Sequence, residues 1–243
     1  FPRYEPPNFN EEDVSDKPNW VKHLQPLSEN YQNGLLQFRK NQYRTLLSVD
    51  EAVGRIVQAL KDTGRLNNTM IVFMSDNGYS WGEHRYSSGK ETAYEENIRV
   101  PFVVRYDALV KNPGTESKNL VLNIDLAPTF AELAKTDAPG AEGASFLSLL
   151  VGPNANWRTD FLIEHLKAGN MGNSRKIPTY CASRNEKFSY VNYKTGEEEL
   201  YDLLNDPYQL DNLASNPDYE SLKNQMKNRT MELCDPLPPG FSQ

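Results

Sequence analysis

The sequence predicts an α/β protein that ends in a small subdomain with a short antiparallel sheet and a helix. Three observations support this fold class. The chain has 243 residues, which is enough for one or two domains. In its first part, apolar residues follow helical and strand spacings in alternation. In its last part, short strand-like segments alternate with glycine and asparagine turns.

Composition excludes several classes of protein. Hydrophobic residues make up 38% and aromatic residues 11% of the chain, at a mean hydropathy of −0.70, so the chain is polar but too aromatic to be disordered. The 26 basic and 33 acidic residues give a net charge of −7, which argues against non-specific binding to nucleic acid. An anionic small substrate remains possible, because a single Lys or Arg can hold one. No apolar run approaches the roughly 18 residues that a membrane span needs, so we expect no span.

Residues 1–30 are predicted to form an irregular arm, because prolines recur there without an apolar period. The arm starts with neither an initiator Met nor a signal peptide, so we expect the protein to begin further upstream. Residues 31–66 have apolar side chains at steps of three and four, which predicts one long amphipathic helix ended by Gly64. The apolar positions of this helix are Leu36, Tyr43, Leu46, Leu47, Val53, Ile56, Val57 and Leu60.

Two predicted strands follow this helix. Residues 70–74 form a short uninterrupted apolar run, which predicts a strand buried on both faces of a parallel sheet. Residues 101–106 predict a second strand, and Asp125 and Pro128 open a further helix. These elements place an α/β layer over residues 31–153.

Residues 154–243 are predicted to form a small α+β subdomain. Four strand-like segments, at 161–164, 179–183, 188–193 and 198–202, are separated by turn residues and suggest an antiparallel sheet. The stretch from 217 to 233 has apolar side chains at helical spacing, which predicts a last amphipathic helix.

Cys181 and Cys234 are the only cysteines in the sequence, and their spacing fits neither a C-x-x-C motif nor a zinc site. They permit one disulfide or two free thiols, and their spacing does not decide between these. A disulfide would tie the C-terminal segment to its neighbour and add about 4 kcal/mol of stability in the chain-entropy model. Two Asn-x-Thr sequons, at Asn67 and Asn228, are compatible with a secreted protein.

The polar residues after the first predicted strand are the best-placed candidates for chemistry. Ligands of open α/β sheets bind at the carboxyl ends of strands, and residues 75–78 follow such an end. Asp76 and Asn77 offer hard oxygens to Ca²⁺ or Mg²⁺, while Gly78 allows a tight turn beneath an ion. Spacing alone favours an ordinary turn, because Asp-Asn-Gly is common turn chemistry. Whether residues 75–78 form a metal-binding turn or an ordinary one depends on the surrounding residues.

Further motifs accompany this turn in a fixed order along the chain. They are Ser48-Val49-Asp50, Ser75 to Tyr79, Gly82-Glu83-His84-Arg85, Gly89-Lys90, Tyr94 to Phe102, Asn123 to Phe130 and Glu199 to Pro207. This arrangement resembles the sulfatases, within the alkaline-phosphatase superfamily, and covers nearly the whole chain. The resemblance implies the C-terminal part of a sulfatase-type mixed sheet sandwiched by helices. Asn77 and the lead-in Leu66 to Thr69 are most similar to the N-acetylglucosamine-6-sulfatase and arylsulfatase branch.

The resemblance also implies roles for individual residues. Asp76 and Asn77 would be metal ligands for Ca²⁺, with Mg²⁺ as the alternative, and Lys90 would be the catalytic residue that binds the sulfate. A divalent ion and a fixed ammonium both offset the negative charge that develops when a sulfate ester is cleaved. His84 would support the site from behind, face the substrate or cap a turn.

Two parts of the sulfatase machinery are missing from this sequence. Sulfatases carry a formylglycine nucleophile, made from a Cys or Ser in C-x-[PA]-x-R, and an Asp-Asp metal pair near the N-terminus. The sequences after Cys181 and Cys234 do not match the nucleophile motif, because Arg184 is one position early and Pro238 stands in place of the Arg. We therefore expect the C-terminal part of a sulfatase, inactive alone, whose missing N-terminal part supplies the nucleophile and the remaining metal ligands.

Alternative functions remain open at this stage. The chain could belong to a phosphodiester or phosphonate monoester hydrolase of the same superfamily, or it could be a catalytically inactive module that binds a sulfated glycan. The expected partners are a sulfated small molecule or glycan and the missing N-terminal part, with no nucleic acid and no membrane span. The expected location is outside the cytosol, in a secreted, periplasmic or lysosomal protein.

Overall fold

A computed structural model describes residues 5–152, 156–167 and 177–241. The helices are α1 (Asn19–Lys22), α2 (Glu29–Asp62), α3 (Glu95–Ile98), α4 (Leu126–Ala134), α5 (Leu147–Val151) and α6 (Glu220–Leu233). The strands are β1 (Ile71–Met74), β2 (Phe102–Arg105), β3 (Asp160–His165), β4 (Tyr180–Asn185), β5 (Phe188–Tyr193) and β6 (Glu198–Asp202). These elements confirm the predicted mixed α/β class.

The chain divides into two units whose segments interleave along the sequence. Unit 1 comprises Phe1–Arg44, Asn77–Val100 and Asp160–Gln243, and unit 2 comprises Thr45–Asp76 and Pro101–Thr159. The boundaries predicted from composition, at residues 30 and 153, cut the sequence at other positions. Among the described residues, no helix is both long and apolar enough to cross a membrane.

Unit 1 is built on the four-stranded sheet β3-β4-β5-β6, in which every neighbouring pair runs antiparallel. All four strands lie within two residues of the predicted segments, and α6 packs against β3, β4 and β5. The predicted antiparallel sheet and last helix are therefore confirmed.

Apolar side chains cover both faces of this sheet. Val191 and Tyr201 belong to a buried cluster on one face, which also takes in Trp20 and Val21 from the predicted arm. On the other face the buried residues are Tyr190, Leu200, Ala214 and Met226, the last of these from α6. Because the side chains of a strand alternate between faces, β5 and β6 each contribute to both clusters. The arm thus supplies part of the core of unit 1.

The two cysteines form a disulfide in the structure. Cys181 lies on β4 and Cys234 directly follows α6, at a Cα–Cα distance of 6.3 Å. The disulfide links the sheet to the last helix across 53 residues of sequence. Of the two alternatives that the sequence left open, the structure contains the paired one.

The strand predicted at 70–74 as part of a parallel sheet has no parallel neighbour among the described residues. In unit 2, β1 and β2 run antiparallel, with Ile71 opposite Arg105 and Met74 opposite Phe102. The two strands are also only partly buried, since the side chain of Phe73 is 40% exposed and that of Val103 is 59% exposed. An uninterrupted apolar run indicates a strand, but it contains no information about the direction of the neighbouring strand.

The predicted long helix is confirmed as α2, which ends two residues before Gly64. Gly64 has a φ of +69°, the left-handed conformation in which helices commonly end. None of the side chains of α2 is fully buried. Its large exposed apolar side chains are Tyr31, Phe38, Tyr43, Leu46, Leu47, Val49, Val53 and Ile56.

Asp125 opens α4 as predicted, and its carboxylate is fully buried in unit 2. It accepts hydrogen bonds of 2.8 Å from the backbone N–H groups of Leu122 and Ala144. The Arg158 guanidinium donates to both carboxylate oxygens. The carboxylate is therefore fully satisfied and has a structural role.

Candidate functional site

The predicted site residues lie where the chain leaves β1. Asp76 is exposed, and Asn77 follows it with a half-buried side chain. The amide oxygen Oδ1 of Asn77 accepts a hydrogen bond of 3.0 Å from Lys90 Nζ. The amide nitrogen Nδ2 donates to the Gly78 carbonyl at 2.8 Å, which fixes the orientation of the amide. The structure thus brings together Asn77 and Lys90, which are 13 positions apart in the sequence.

Position 78 requires a glycine because another segment of backbone lies very close to it. Its N–H donates to the Asn97 carbonyl at 2.8 Å, and a Cβ built on Gly78 would lie 1.9 Å from the Glu96 carbonyl oxygen. No side chain fits in that space, so a larger residue would push the turn away from α3. The glycine in the Asp-Asn-Gly sequence therefore serves packing against α3.

A buried side chain, Asn97, holds the loop that carries Lys90. Its Oδ1 accepts hydrogen bonds from the Thr92 backbone N–H at 3.1 Å and from the Thr92 hydroxyl at 2.8 Å. Its Nδ2 donates to the Ser80 hydroxyl at 2.9 Å, and the Ser80 N–H donates to the Gly89 carbonyl at 2.7 Å. Both ends of the loop are therefore fixed to one amide. The sequence motif contains Asn97, but no spacing rule indicates this contact.

His84 supports the loop from inside unit 1. Its imidazole is 1% exposed and stacks on the ring of Tyr94, with 4.0 Å between the ring centroids. Its Nδ1 lies 2.6 Å from Glu11 Oε2, and its Nε2 lies 3.3 Å from Asn8 Nδ2. His84 thus joins the arm to the loop that carries Lys90.

The oxygen donors at the turn match the chemistry of a Ca²⁺ site in kind. Asp76 contributes an exposed carboxylate and Asn77 an amide oxygen that already faces the positive charge of Lys90. Ca²⁺ takes roughly six to eight oxygen ligands, so these residues would supply a minority of them. Among the described residues, a cluster of metal-ligating side chains occurs at Glu164, Cys181 and Cys234, but its sulfur atoms are joined in the disulfide.

A second polar cluster, the Glu199 cluster, is buried in unit 1 and consists of Glu199, Tyr94, Tyr193 and Tyr201. The Glu199 carboxylate accepts a hydrogen bond of 2.7 Å from each of the three tyrosine hydroxyls. Burial raises the pKa of the Glu199 carboxyl, although the tyrosine hydrogen bonds lower it. Burial, and then the charge of Glu199, raise the pKa of each tyrosine well above its ordinary range. The cluster joins the loop before α3 to strands β5 and β6.

Two family models match the chain. The model described as "Sulfatase" matches residues 1–136, and the model described as "N-sulphoglucosamine sulphohydrolase, C-terminal" matches residues 82–235. Together they cover both the loop with Lys90 and the four-stranded sheet.

Individual relatives agree with these models. An N-acetylglucosamine-6-sulfatase from Bos taurus is 34% identical over 235 residues, which is 83% of this chain and 41% of the relative. An arylsulfatase from Volvox carteri is 31% identical over 232 residues, which is 85% of this chain and 36% of the relative. The chain therefore spans less than half the length of these relatives, whose names are those of the branch that the motifs most resemble.

Solved structures also match. A protein bound to its substrate D-glucosamine-2-N,6-O-disulfate superimposes with a TM-score of 0.76 and 26% identity, over 91% of this chain and 46% of that one. A phosphonate monoester hydrolase from Agrobacterium radiobacter superimposes with a TM-score of 0.73 and 26% identity, over 82% of this chain and 41% of that one.

Proposed function

The chain belongs to the sulfatase family, and we propose that it forms the C-terminal part of a sulfuric ester hydrolase that cleaves sulfate monoesters on a sulfated sugar. The observation that carries this proposal is the 3.0 Å hydrogen bond between Lys90 Nζ and Asn77 Oδ1. It places the Lys90 ammonium beside a side-chain oxygen of the kind that binds metal ions. Hydrogen bonds to Asn97 hold the loop that carries Lys90 in place.

In the proposed reaction, the Lys90 ammonium binds a sulfate oxygen and offsets the negative charge that develops on it. Such a preorganised cation acts most strongly where water is excluded, because the surrounding dielectric is then low. Asp76 and Asn77 would hold a divalent cation, Ca²⁺ or alternatively Mg²⁺, which when bound would supply Lewis-acid stabilisation of the ester oxygens. His84 keeps the loop attached to the arm and takes no part in proton transfer.

The nucleophile and the remaining metal ligands are proposed to come from a segment outside this chain. The full sequence contains no C-x-[PA]-x-R motif and no Asp-Asp pair. The chain also spans only 41% of the sulfatase from Bos taurus and 36% of that from Volvox carteri, which leaves room for such a segment. We therefore propose that the chain alone is inactive and associates with that segment.

A sulfated sugar is the proposed substrate because of two relatives. One is named N-acetylglucosamine-6-sulfatase, and one solved neighbour is bound to a glucosamine disulfate. The Cys181–Cys234 disulfide supports a location outside the cytosol, since disulfides persist in oxidising compartments.

A second candidate function is phosphonate monoester hydrolysis, which the match to the Agrobacterium radiobacter enzyme favours. The two functions are separated by assaying the full-length natural protein with an aryl sulfate, an aryl phosphate and an aryl phosphonate monoester. We expect the sulfate to turn over fastest and the chain alone to turn over none of the three. Faster turnover of the phosphonate would select the second function, and no turnover by the full-length protein would leave a binding module.

The role of Lys90 has its own test in the full-length protein. Replacing Lys90 with Ala removes the ammonium that offsets developing charge, so we expect kcat for the sulfate ester to fall about a hundredfold or more. Lys61→Ala is the matched control, because Lys61 is an exposed lysine in the last turn of α2 and should leave kcat unchanged. Near-normal turnover by Lys90→Ala would remove the basis of the proposed function.

A further inference from the structure

Three aromatic side chains of unit 1 form a continuous patch, the aromatic shelf, which consists of Phe38, Tyr79 and Trp81. The ring centroids of Tyr79 and Trp81 are 4.9 Å apart, and those of Phe38 and Trp81 are 5.5 Å apart. Phe38 is 57% exposed and Tyr79 is 39% exposed, so the shelf presents ring surface to solvent. Single exposed aromatic residues are ordinary, but three joined through Trp81 indicate a binding surface.

A shallow, open depression lies beside the indole of Trp81 and forms the cleft of the shelf. Its apolar wall includes Phe9 and Leu35, and its polar side chains are Glu5, Gln32 and Arg39. A carboxylate, an amide and a guanidinium are planar groups that can exchange hydrogen bonds with several neighbouring hydroxyls. The Arg39 guanidinium also donates to the Tyr43 hydroxyl at 3.0 Å, which orients it along α2.

The aromatic shelf lies next to Lys90, the candidate sulfate-binding residue. Trp81 lies on the same loop as Lys90, and an isolated β-bridge pairs Ser80 with Gly89 in antiparallel fashion. In such a bridge the flanking residues are neighbours, which places the backbone of Tyr79 next to that of Lys90. The shelf therefore starts beside Lys90 and continues through Trp81 to Phe38.

The position of Trp81 is fixed before any ligand binds. Its backbone N–H donates to the buried carboxylate of Glu83, whose pKa burial raises. The next residue, Gly82, has a φ of +113°, and a Cβ built on it would lie 2.8 Å from the ring of Phe9. The Gly82 carbonyl accepts a hydrogen bond of 2.8 Å from the Asn10 N–H. This support lowers the cost of ordering the shelf when a ligand binds.

We propose that the aromatic shelf and its cleft form a carbohydrate subsite that holds the sugar ring adjoining the sulfated sugar. The C–H face of a pyranose is apolar and packs on an aromatic ring, while its equatorial hydroxyls suit the planar polar groups of the cleft. The adjoining sugar is the occupant because the shelf leads away from Lys90, where the sulfate is held. The inference rests on the proposed function and names a further part of its substrate.

The kinetic test compares two substrates of the full-length protein. One is glucosamine-6-sulfate, and the other is a disaccharide that ends in the same sulfated sugar. Trp81→Ala is expected to raise KM for the disaccharide about five- to tenfold, the worth of one aromatic contact, with KM for the monosaccharide changed less than twofold. Equal changes for both substrates, or none for either, would overturn the subsite.

A second pair of variants covers the case in which Trp81→Ala disturbs folding. Phe38→Ala removes a ring of the shelf from the surface of α2, and we expect it to raise KM for the disaccharide alone. Phe130→Ala is the matched control, because Phe130 is 46% exposed on α4 in unit 2. If both variants change KM to the same extent, the shelf has no specific role.

A binding readout separates this inference from the proposed function. An unsulfated disaccharide of N-acetylglucosamine is titrated into the chain while the tryptophan indole N–H signals are followed by NMR. We expect the Trp81 signal, assigned through Trp81→Phe, to shift and that of Trp157 in unit 2 to stay in place. A stationary Trp81 signal would contradict the subsite even in an active sulfatase. A shift in a protein without sulfatase activity would retain the subsite and remove the proposed function.

Discussion

The four-stranded sheet of unit 1 and the two-stranded sheet of unit 2 differ in how their apolar side chains are covered. Tyr190 and Leu200 are fully buried between the unit 1 sheet and α6, whereas Phe73 and Val103 of the unit 2 strands are 40% and 59% exposed. Two strands alone are marginally stable in water, while four strands with both faces covered can hold a core. Unit 1 therefore has a buried core of its own, whereas the strands of unit 2 keep apolar side chains partly exposed.

This difference also explains where the candidate site is held. The loop with Lys90 is fixed by Asn97 and by His84, and both lie in unit 1. Residues that must be positioned within fractions of an ångström benefit from a rigid support. Unit 1 supplies that support through the Glu199 cluster, which joins the loop to the sheet.

Removal of the disulfide is expected to have the largest effect and tests the difference between unit 1 and unit 2. Cys181→Ala with Cys234→Ala opens a loop of 53 residues, so we expect unit 1 to lose about 4 kcal/mol of unfolding free energy. Hydrogen exchange measured by segment reports the two units separately. Amides of β4 and α6 should exchange faster, while those of β1 and β2 stay unchanged. Equal acceleration in both sheets would mean that the two units are not independent.

A matched pair of leucines tests the difference in burial. Leu200 is fully buried on β6, and Leu47 on α2 is 63% exposed. We expect Leu200→Ala to cost about 3 kcal/mol, because it removes buried methyl groups and leaves a cavity. Leu47→Ala should change stability by less than about 0.5 kcal/mol. Urea unfolding measures both, and similar losses from the two variants would contradict the burial difference.

The smallest expected effect comes from the Glu199 cluster and depends on pH. The raised pKa of Glu199 means that its contribution to stability is fully present below its ordinary value of 4.5 and is lost as pH rises through the folded-state pKa. Tyr94→Phe removes one donor to the carboxylate. We expect a larger cost at pH 7.5 than at pH 4.5, about 2 against about 1 kcal/mol, because higher pH favours the charged carboxylate, whose hydrogen bonds are stronger.

Tyr180→Phe is the control for this pH dependence. Tyr180 is equally buried, but its hydroxyl donates to the Glu91 backbone carbonyl at 3.1 Å, an acceptor that does not titrate. Its loss should cost about 1 kcal/mol at both pH values. Urea unfolding of each variant against the parent chain at the two pH values gives the comparison. A Tyr94→Phe cost that is independent of pH would show that Glu199 does not change its protonation state between these two pH values.

Local patterns predict most of the secondary structure of this chain. The strands of unit 1 are flanked by turn residues and the long helix has a clear apolar period, so their bounds follow from short stretches of sequence. The antiparallel pairing of β1 with β2 does not follow from such local patterns. Pairing is decided by residues far apart in sequence, such as Ile71 and Arg105, and a single apolar run does not contain that information.

The candidate site was predictable only through the resemblance of its motifs. Asp76, Asn77 and Lys90 are common residue types that carry no chemistry until their neighbours are recognised. The Glu199 cluster and the aromatic shelf were not predicted, because each gathers residues from separate segments. Tyr94 and Glu199, for example, are 105 positions apart and meet only through the fold. The pairing of Cys181 with Cys234, which are 53 positions apart, does not follow from local sequence for the same reason.

The Glu199 cluster also limits which substitutions this chain can accept during evolution. Losing one tyrosine hydroxyl leaves a buried carboxylate with too few donors, and losing the carboxylate leaves three hydroxyls that face one another without their acceptor. Every single step is therefore costly, whereas joint replacement by apolar residues of similar volume can be neutral. Among homologues, the residues at positions 94, 193, 199 and 201 should consequently covary as one inherited set.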